Sequence, residues 1–384
     1  MTDVLCREFQ RRGHRVFYFH HRNAELYRDY LPPAKAVFAD SADFTSVAAV
    51  ESYHRFLKDH NIEIVINQCG LFSDSVLYTD VHVEGMAAPK VISVLHSDPL
   101  LNYNHLFSQI AALRNNTFIE YFKRIARCII YPHLKKKHLQ GRIQCTKYAQ
   151  EHSDALVILS EGYKKDIKML CGDIFNEEKL FTIPNPLPPC SAPVDSTPKK
   201  PWLLYVGRFD FGQKRPDRLI KIWSRLYKHF PEWELHIIGD GPYRAQLEQK
   251  ARNFPRIFIE GWQDSAPYYQ QAKILLLTSN FEGFPMVLPE AMAHGVVPIL
   301  FNSFAAAADI VDDQKNGILA PPFNISDYVK KLADLMKSNS NWAKISELTQ
   351  LKAKQFNIEN IADKWEAVMN LSFQNSVSGE GNML

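Results

Sequence analysis

The 384-residue sequence lacks the features that mark several classes of protein. Its six cysteines are scattered with no CxxC pair, which argues against a disulfide framework and a zinc site and favours a reducing cytoplasm. No apolar run approaches the roughly 18 residues of a membrane span, and the charged start MTDVLCREFQRRGHRV is unlike a secretory signal. A net charge of +3 is too small to indicate a nucleic-acid partner. These absences predict a cytoplasmic protein, either soluble or peripheral on the inner face of the cytoplasmic membrane.

Short apolar runs alternate with longer amphipathic segments along the chain. Nine of these runs are typical of buried parallel strands: VFYF, EIVIN, KVISVL, ALVIL, WLLYVG, ELHIIG, RIFIEG, KILLLTS and VVPILF. Segments such as Asp217 to His229 and Tyr328 to Met336 repeat apolar residues at helical spacing. This alternation predicts an α/β fold with ligand sites at the carboxyl ends of the strands. The length suits about two such domains.

A proline-rich stretch divides the chain. The sequence IPNPLPPCSAPVDSTPKKP places seven prolines around Pro184 to Pro201, a composition typical of an interdomain linker because it continues neither helix nor central strand. We predict four segments: a Rossmann-like domain over residues 1–186, a second over 187–355, a C-terminal helix over 356–373 that packs back on the first domain, and a disordered tail over 374–384.

The chain opens on a helix. In RRGHRVFYF the helix ends at Gly13 and a strand follows, whereas a doubly wound domain normally begins with a strand from the middle of its sheet. Either the domain is unusual, or the chain lacks a natural first strand and loop of about 20 residues.

Two glutamates, Glu282 and Glu290, flank a loop in SNFEGFPMVLPEAMAHGVVPI. A strand ends near Ser279, and a short helix is predicted over Met286 to His294, with Gly295 as its stop. Glu282 then lies in the loop and Glu290 one turn into the helix, whose N-terminal amides suit a phosphate. Carboxylates beside a phosphate site accept hydrogen bonds from the hydroxyls of a ribose or a hexose.

A second cluster supplies cations. In LLYVGRFDFGQKRPDRLI, Arg208 and Lys214 lie on the loop between a strand and a helix. Arginine offers a planar fork to phosphate oxygens and lysine a point charge, so the pair would neutralise a diphosphate without a metal. We therefore expect neither a metal site nor a resident cofactor.

With these residues identified, the chain from about Ser153 to Ile325 resembles the nucleotide-binding half of the retaining GT-B glycosyltransferases, specifically glycosyltransferase family 4. Five segments match in the family's order: VGRFDFGQK, HIIGDGP, FIEGW, SNFEGFPMVLPEAMAHG and NGILAPP. The first half matches more thinly, through VISVLHSDP, ILSEGYKKDI and IPNP. The resemblance implies two Rossmann-like domains with the ligand site in the interdomain cleft, the first binding the acceptor and the second the nucleotide sugar.

The resemblance also implies an activity of the hexosyltransferase type. A sugar would pass from a nucleotide diphosphate donor, with a UDP-sugar favoured, to an acceptor hydroxyl with retention of configuration. His96 and Glu282 would be catalytic, and no covalent nucleophile is evident. The donor site would comprise Arg208 and Lys214 on the diphosphate, Glu290 on the ribose, and Glu282 with Gly283, Phe284, Pro285, Met286 and Val287 on the sugar.

Basic residues cluster from Lys123 to Arg142, around the apolar patch Cys128 to Tyr131. This pattern fits either a solvated helical face or a surface that meets anionic lipid. The second interpretation suits an enzyme of a bacterial surface polysaccharide pathway, with a glycan or lipid-linked acceptor.

Three other functions stay open from the sequence. A glycoside hydrolase uses two carboxylates, although these must straddle the glycosidic bond. A GT-B epimerase would bind the same donor and need no acceptor. A truncated or degenerate chain would bind the nucleotide sugar without turnover.

Overall fold

The described part of the chain consists of two units. The computed structural model describes residues 2–20, 32–41, 43, 45–69, 76–106, 110, 118–189 and 198–377. The first unit comprises residues 1–100, 137–188 and 357–384, and the second comprises 101–136 and 189–356. Residues 101–136 thus depart from the predicted division and group with the second unit, where the ring centroids of His105 and Phe281 lie 4.4 Å apart.

The described residues include twelve strands and fourteen α-helices. The strands are β1 (Phe17–His20), β2 (Lys35–Phe38), β3 (Ile64–Asn67), β4 (Lys90–Leu95), β5 (Ala155–Ile158), β6 (Leu180–Thr182), β7 (Lys200–Val206), β8 (Glu234–Ile238), β9 (Ile257–Gly261), β10 (Ala272–Leu277), β11 (Val297–Phe301) and β12 (Ile318–Ala320). The helices are α1 (Thr2–Arg11), α2 (Val47–Asp59), α3 (Leu101–Asn104), α4 (Phe118–Ile129), α5 (Tyr131–His152), α6 (Lys164–Cys171), α7 (Asp217–Trp223), α8 (Arg244–Ala251), α9 (Ala266–Gln271), α10 (Val287–Ala293), α11 (Ala306–Ile310), α12 (Ile325–Lys337), α13 (Asn339–Ala353) and α14 (Ile358–Val377).

All nine predicted strands are confirmed. The sequence missed β2, β6 and β12, and the last two, with three residues each, are too short to show a period. The predicted helix over Asp217 to His229 is regular only as α7, because the amides of Arg225 and Leu226 bond three residues back instead of four. The opening helix ends as predicted beside Gly13, which has a φ of 95°.

The second unit is built on a six-stranded parallel sheet in the order β12-β11-β10-β7-β8-β9. This is the doubly wound order, which reverses between β7 and β10 and opens a crevice beyond their carboxyl ends. One face of the sheet packs Leu203, Tyr205 and Ile274 against Trp223 of α7 and Tyr328 of α12, all fully buried. This apolar layer fixes the strands from which the crevice loops emerge.

The first unit holds two parallel sheets, one of order β3-β4-β5-β6 and one that pairs β1 with β2. In its core, Phe9 of α1 and Ile92 of β4 pack with Ile361 and Trp365 of α14. Helix α14 reaches Val377, so the first residues of the predicted tail are helical. Residues 378–384 lie outside the described ranges.

The predicted linker is only partly covered. Residues 190–197 lie outside the described ranges, and β7 begins at Lys200, inside the predicted linker. Among the helices in the described ranges, none combines the length and the apolar character needed to cross a bilayer.

Candidate active site

The crevice of the second unit brings two predicted motifs together. The loop after β7 carries Arg208 and Lys214, and the loop after β10 carries Glu282. Because β7 and β10 are neighbours and parallel, both loops leave the same edge of the sheet at the point where the strand order reverses. The topology therefore places both motifs where a doubly wound sheet binds its ligands.

Lys214 and Glu282 form a largely buried ion pair. The Lys214 Nζ lies 2.7 Å from Oε1 of Glu282, with side-chain exposures of 18% and 6%. Ser279 Oγ donates to the same oxygen at 2.6 Å, and Gln213 Nε2 donates to Oε2 at 3.2 Å. Three donors from two loops hold this carboxylate, and the pair sets the position of the lysine ammonium.

Arg208 lies at the exposed side of the same loop. Its guanidinium donates to Gln213 Oε1 at 3.3 Å, so Gln213 links Arg208 to Glu282. A guanidinium has five N–H donors, and the exposed side chain of Arg208 presents its charge to the solvent side of the crevice. The two predicted cations therefore share one hydrogen-bonded network.

Glu290 occupies a different environment. It lies on α10, where its Oε2 accepts a hydrogen bond from the Tyr269 hydroxyl at 3.2 Å. Burial raises the pKa of Glu290, and the tyrosine bond lowers it by a smaller amount. The His294 ring stacks on Tyr269 at 5.8 Å, and its Nδ1 lies 2.9 Å from the Glu290 carbonyl oxygen. The donor to this carboxylate is a neutral hydroxyl, whereas Glu282 is also paired with the Lys214 ammonium.

The segment Gly283 to Val287 forms the turn into α10. The Leu288 amide donates to the Pro285 carbonyl at 3.0 Å, and the Glu290 amide donates to the Met286 carbonyl at 3.0 Å. The Phe284 side chain is buried edge-on against Phe356, with ring centroids 5.6 Å apart. The structure thus gives the Phe284 side chain a packing role, and only its backbone is left to serve the predicted sugar contact.

A set of polar residues that the sequence did not single out joins the two loops. Asn280 donates from its amide to the Gln213 carbonyl and from Nδ2 to the Gly212 carbonyl, each at 2.7 Å. Thr278 Oγ1 donates to the carbonyls of Lys214 and Arg215.

Arg218 on α7 completes the connection. Its guanidinium donates to the Thr278 carbonyl and to Asn280 Oδ1, both at 2.7 Å. The side chain is buried and lies 4.5 Å from the Phe323 ring centroid. One feature of the sequence could have indicated this role, namely that Arg218 directly precedes the apolar Leu219 and Ile220. A cation that is buried beside apolar residues requires polar partners.

His96 belongs to the first unit and follows β4 directly. Its Nε2 is hydrogen-bonded to Oε1 of Gln68, which directly follows the last residue of β3. Because an amide oxygen only accepts, this bond places the proton on Nε2 and leaves Nδ1 as an acceptor. Burial lowers the pKa of His96 to about 4, so the imidazole is neutral near pH 7.

Comparison with known proteins finds a family match within the second unit. Residues 200–338 match the family model described as glycosyl transferases group 1. A Salmonella typhimurium protein named lipopolysaccharide 1,6-galactosyltransferase is 34% identical over 211 residues, which cover 53% of this chain and 56% of that protein. The chain thus spans less than two thirds of the length of this curated relative.

Solved structures agree on the fold. The apo lipopolysaccharide outer core galactosyltransferase WaaB superposes with a TM-score of 0.69 at 22% identity, over 96% of this chain and 94% of that one. Anabaena HepE in complex with UDP and glucose gives a TM-score of 0.68 at 14% identity, over 96% and 94%. The chain thus has the GT-B fold that the motifs predicted, and its residues 200–338 match the group 1 glycosyltransferase model. The narrower family 4 assignment stays a prediction.

Proposed function

We propose that this protein is a retaining glycosyltransferase of family 4, a hexosyltransferase type, in bacterial surface polysaccharide or lipid-linked glycan synthesis. It would move a sugar from a nucleotide diphosphate sugar, with UDP first among the nucleotides, to an acceptor hydroxyl. The observation that carries the proposal is the buried contact between Lys214 and Glu282, beside Arg208, at the switch point of the sheet. The relative named as a galactosyltransferase and the UDP complex of a structural neighbour support the same choice.

The cations supply the electrostatic part of the reaction. When the bond between the anomeric carbon and the diphosphate oxygen breaks, the leaving diphosphate gains negative charge. Arg208 and Lys214 would stabilise that charge directly, in place of a metal ion. Fixed charges in a preorganised site need no rearrangement as the charge develops, which is why their placement matters more than their number.

The two glutamates are assigned to hydroxyl groups of the donor. Glu282 would accept from the sugar while Lys214 holds it in place, and Glu290 would accept from the ribose. Retention is assigned to attack on the face that the diphosphate leaves. The acceptor oxygen bonds the anomeric carbon, and its proton passes to the departing phosphate oxygen.

The acceptor side rests on the first unit. We assign His96 a place near the reacting sugar, where its neutral imidazole can exchange hydrogen bonds without adding charge. The acceptor is a glycan or a lipid-linked glycan. The protein would be cytoplasmic, with peripheral contact to the inner face of the membrane through residues 123–142.

A thermal-shift panel of UDP, GDP, ADP and their common sugar conjugates tests the donor site. A ligand at 100 times its dissociation constant stabilises the native state by about 2.7 kcal/mol. We expect one nucleotide to raise the melting temperature of the wild type. The same nucleotide should leave the melting temperature of Glu290→Ala unchanged. Glu248→Ala, which removes a half-exposed carboxylate paired with Arg244 on helix α8 of the same unit, is the matched control and should respond as the wild type does.

Product analysis then separates the candidate reactions. Incubation with the stabilising donor alone should return that donor, and a changed sugar would indicate an epimerase. Transfer to an added acceptor with retained configuration supports the proposal. If no nucleotide stabilises the wild type, the proposed donor site is wrong.

A further inference from the structure

Arg215, the residue after Lys214, has an unusual backbone conformation. Its φ is 53°, in the left-handed region that residues other than glycine rarely adopt. Pro216 follows, and a proline favours extended conformations of the residue before it, so the local sequence does not favour this turn. Such a conformation persists where surrounding contacts hold it, and such residues are common at functional sites.

Hydrogen bonds from two loops fix the backbone on both sides of Arg215. Its amide donates to the Asp210 carbonyl at 2.9 Å. The Thr278 hydroxyl lies 3.1 Å from the carbonyl oxygen of Lys214 and 3.0 Å from that of Arg215. Because Thr278 directly follows β10, these bonds join the turn to the strand whose loop carries Glu282.

The Arg215 side chain binds partners within its own loop. Its Nε and Nη2 donate to the two carboxylate oxygens of Asp217 at 2.7 and 2.9 Å, which makes a bidentate pair. The side-chain exposures are 20% for Arg215 and 3% for Asp217. The guanidinium carbon also lies 4.3 Å from the ring centroid of Phe211. Since Phe211 precedes Lys214 and Asp217 follows it, the guanidinium joins the two sides of the turn.

We propose that Arg215 is a positioning residue for the donor diphosphate, because it holds the loop in the left-handed turn that brings Lys214 to Glu282. A rotation of φ to the usual negative values would move Lys214 relative to α7, which follows the turn. The ammonium would then lose its contact of 2.7 Å with Glu282. The guanidinium itself already has an anionic partner in Asp217. The inference rests on the proposed function, which assigns Lys214 to the diphosphate.

Titration calorimetry with UDP and UMP measures this role, because the two nucleotides differ by one phosphate. Arg215→Ala removes the side-chain bonds that hold the left-handed turn. Its dissociation constant for UDP should rise about tenfold, the effect of one misplaced charge-assisted hydrogen bond. Its dissociation constant for UMP should change by less than about threefold, since UMP lacks the second phosphate.

Arg215→Gly separates the backbone from the side chain. Glycine adopts positive φ as readily as negative φ, so this variant can keep the turn without the guanidinium. It should bind UDP within about threefold of the wild type, and therefore more tightly than Arg215→Ala. If the guanidinium itself bound phosphate, the two substitutions would weaken UDP binding equally.

Arg256 provides a matched control in the same unit. Its φ is 59°, and its Nε and Nη2 donate to the carbonyls of Trp233 and Tyr227 at 3.0 and 2.6 Å. It directly precedes β9, at the edge of the sheet opposite the crevice. Arg256→Ala should lower the melting temperature and Arg256→Gly should restore part of it, with the UDP affinity of the wild type in both. The control thus separates stability from donor binding.

Asp217→Asn keeps the shape of the partner and removes its charge. It should weaken UDP binding as Arg215→Ala does, which keeps the test available if the alanine variant does not fold.

Equal UDP affinity of Arg215→Ala and Arg215→Gly, at the wild-type level or below it, would overturn the inference. An equal loss of UDP and UMP affinity would overturn it as well, because the effect would then lie away from the diphosphate. A wild type that binds no nucleotide would refute the proposed donor site, and the inference would fall with it.

Discussion

Replacing Arg218 by methionine tests whether the loop that carries Lys214 is held by the network behind it. Arg218 donates two hydrogen bonds of 2.7 Å, to the Thr278 carbonyl and to Asn280 Oδ1, and all three residues are buried. Methionine keeps most of the apolar volume against Phe323 and removes both donors. The two acceptors then stay buried without these partners.

The size of the effect follows from these bonds. Hydrogen bonds to a charged group contribute about 1.5 to 3 kcal/mol each. Part of this gain offsets the cost of burying the cation, which is the reason that burial lowers the pKa of Arg218 to about 10. We therefore expect Arg218→Met to lower the free energy of unfolding by about 3 kcal/mol, near the lower end of the sum of the two bonds. The melting temperature should fall by about 6 to 12 °C, at about 2 to 4 °C for each kcal/mol.

The same change should weaken donor binding. Asn280 also holds the carbonyls of Gly212 and Gln213, so its release loosens the loop on which Lys214 meets Glu282. We expect the KM for the donor to rise about tenfold, equivalent to about 1.4 kcal/mol. The acceptor KM should change little.

Urea denaturation and initial rates at varied donor concentration provide the measurements. Arg225→Met is the matched control, because Arg225 is an exposed arginine that donates to Ser326 Oγ at 3.0 Å. It should alter stability by less than about 0.5 kcal/mol. A loss below about 1 kcal/mol in Arg218→Met, together with an unchanged donor KM, would show that the network neither stabilises nor positions the loop.

Three further changes have definite expected results. Burial lowers the pKa of His96 to about 4, so between pH 6.5 and 4 the unfolded chain binds a proton that the native chain does not. Stability should fall by up to about 3 kcal/mol as the pH drops through this window, and urea denaturation of His96→Gln should lack that slope. Tyr269→Phe removes the hydroxyl that donates to the Glu290 carboxylate. By chemical denaturation, the free energy of unfolding should fall by about 2 kcal/mol at pH 8, and by less near pH 4.5, where protonation of the carboxylate weakens the bond. Gly239→Ala would place a Cβ 2.0 Å from the Gly207 carbonyl oxygen at a φ of 137°, so we expect a loss above about 4 kcal/mol, seen as low soluble yield and a lower melting temperature.

The regular part of the second unit could be predicted from its sequence. Runs such as WLLYVG and KILLLTS are apolar throughout because parallel strands are buried on both faces, and both are strands in the structure. The strands β6 and β12 were missed because three residues are too few to show a pattern. The grouping of residues 101–136 with the second unit was missed because it depends on contacts distant in sequence, such as that of His105 with Phe281.

The chemistry of the site could be predicted to the level of the crevice and no further. Motif order places Lys214 and Glu282 at the ends of strands, but their contact requires β7 and β10 to be neighbours, which 68 residues of separation conceal. Arg218 was harder still, because its partners Thr278 and Asn280 lie 60 and 62 residues away. The spacing of residues within a motif does not indicate contacts over such distances in the sequence.

The two motif glutamates differ in a way that their spacing does not reveal. Glu282 is paired with a cation and two further donors, which satisfies its charge before any ligand arrives. Glu290 is buried against a tyrosine hydroxyl, and its raised pKa reports a carboxylate whose ionised form is poorly stabilised in the free protein. New hydroxyl donors would therefore gain more at Glu290 than at Glu282. Of the two, Glu290 is the carboxylate whose free energy a bound ribose would change, and Glu282 is the one that keeps Lys214 in place.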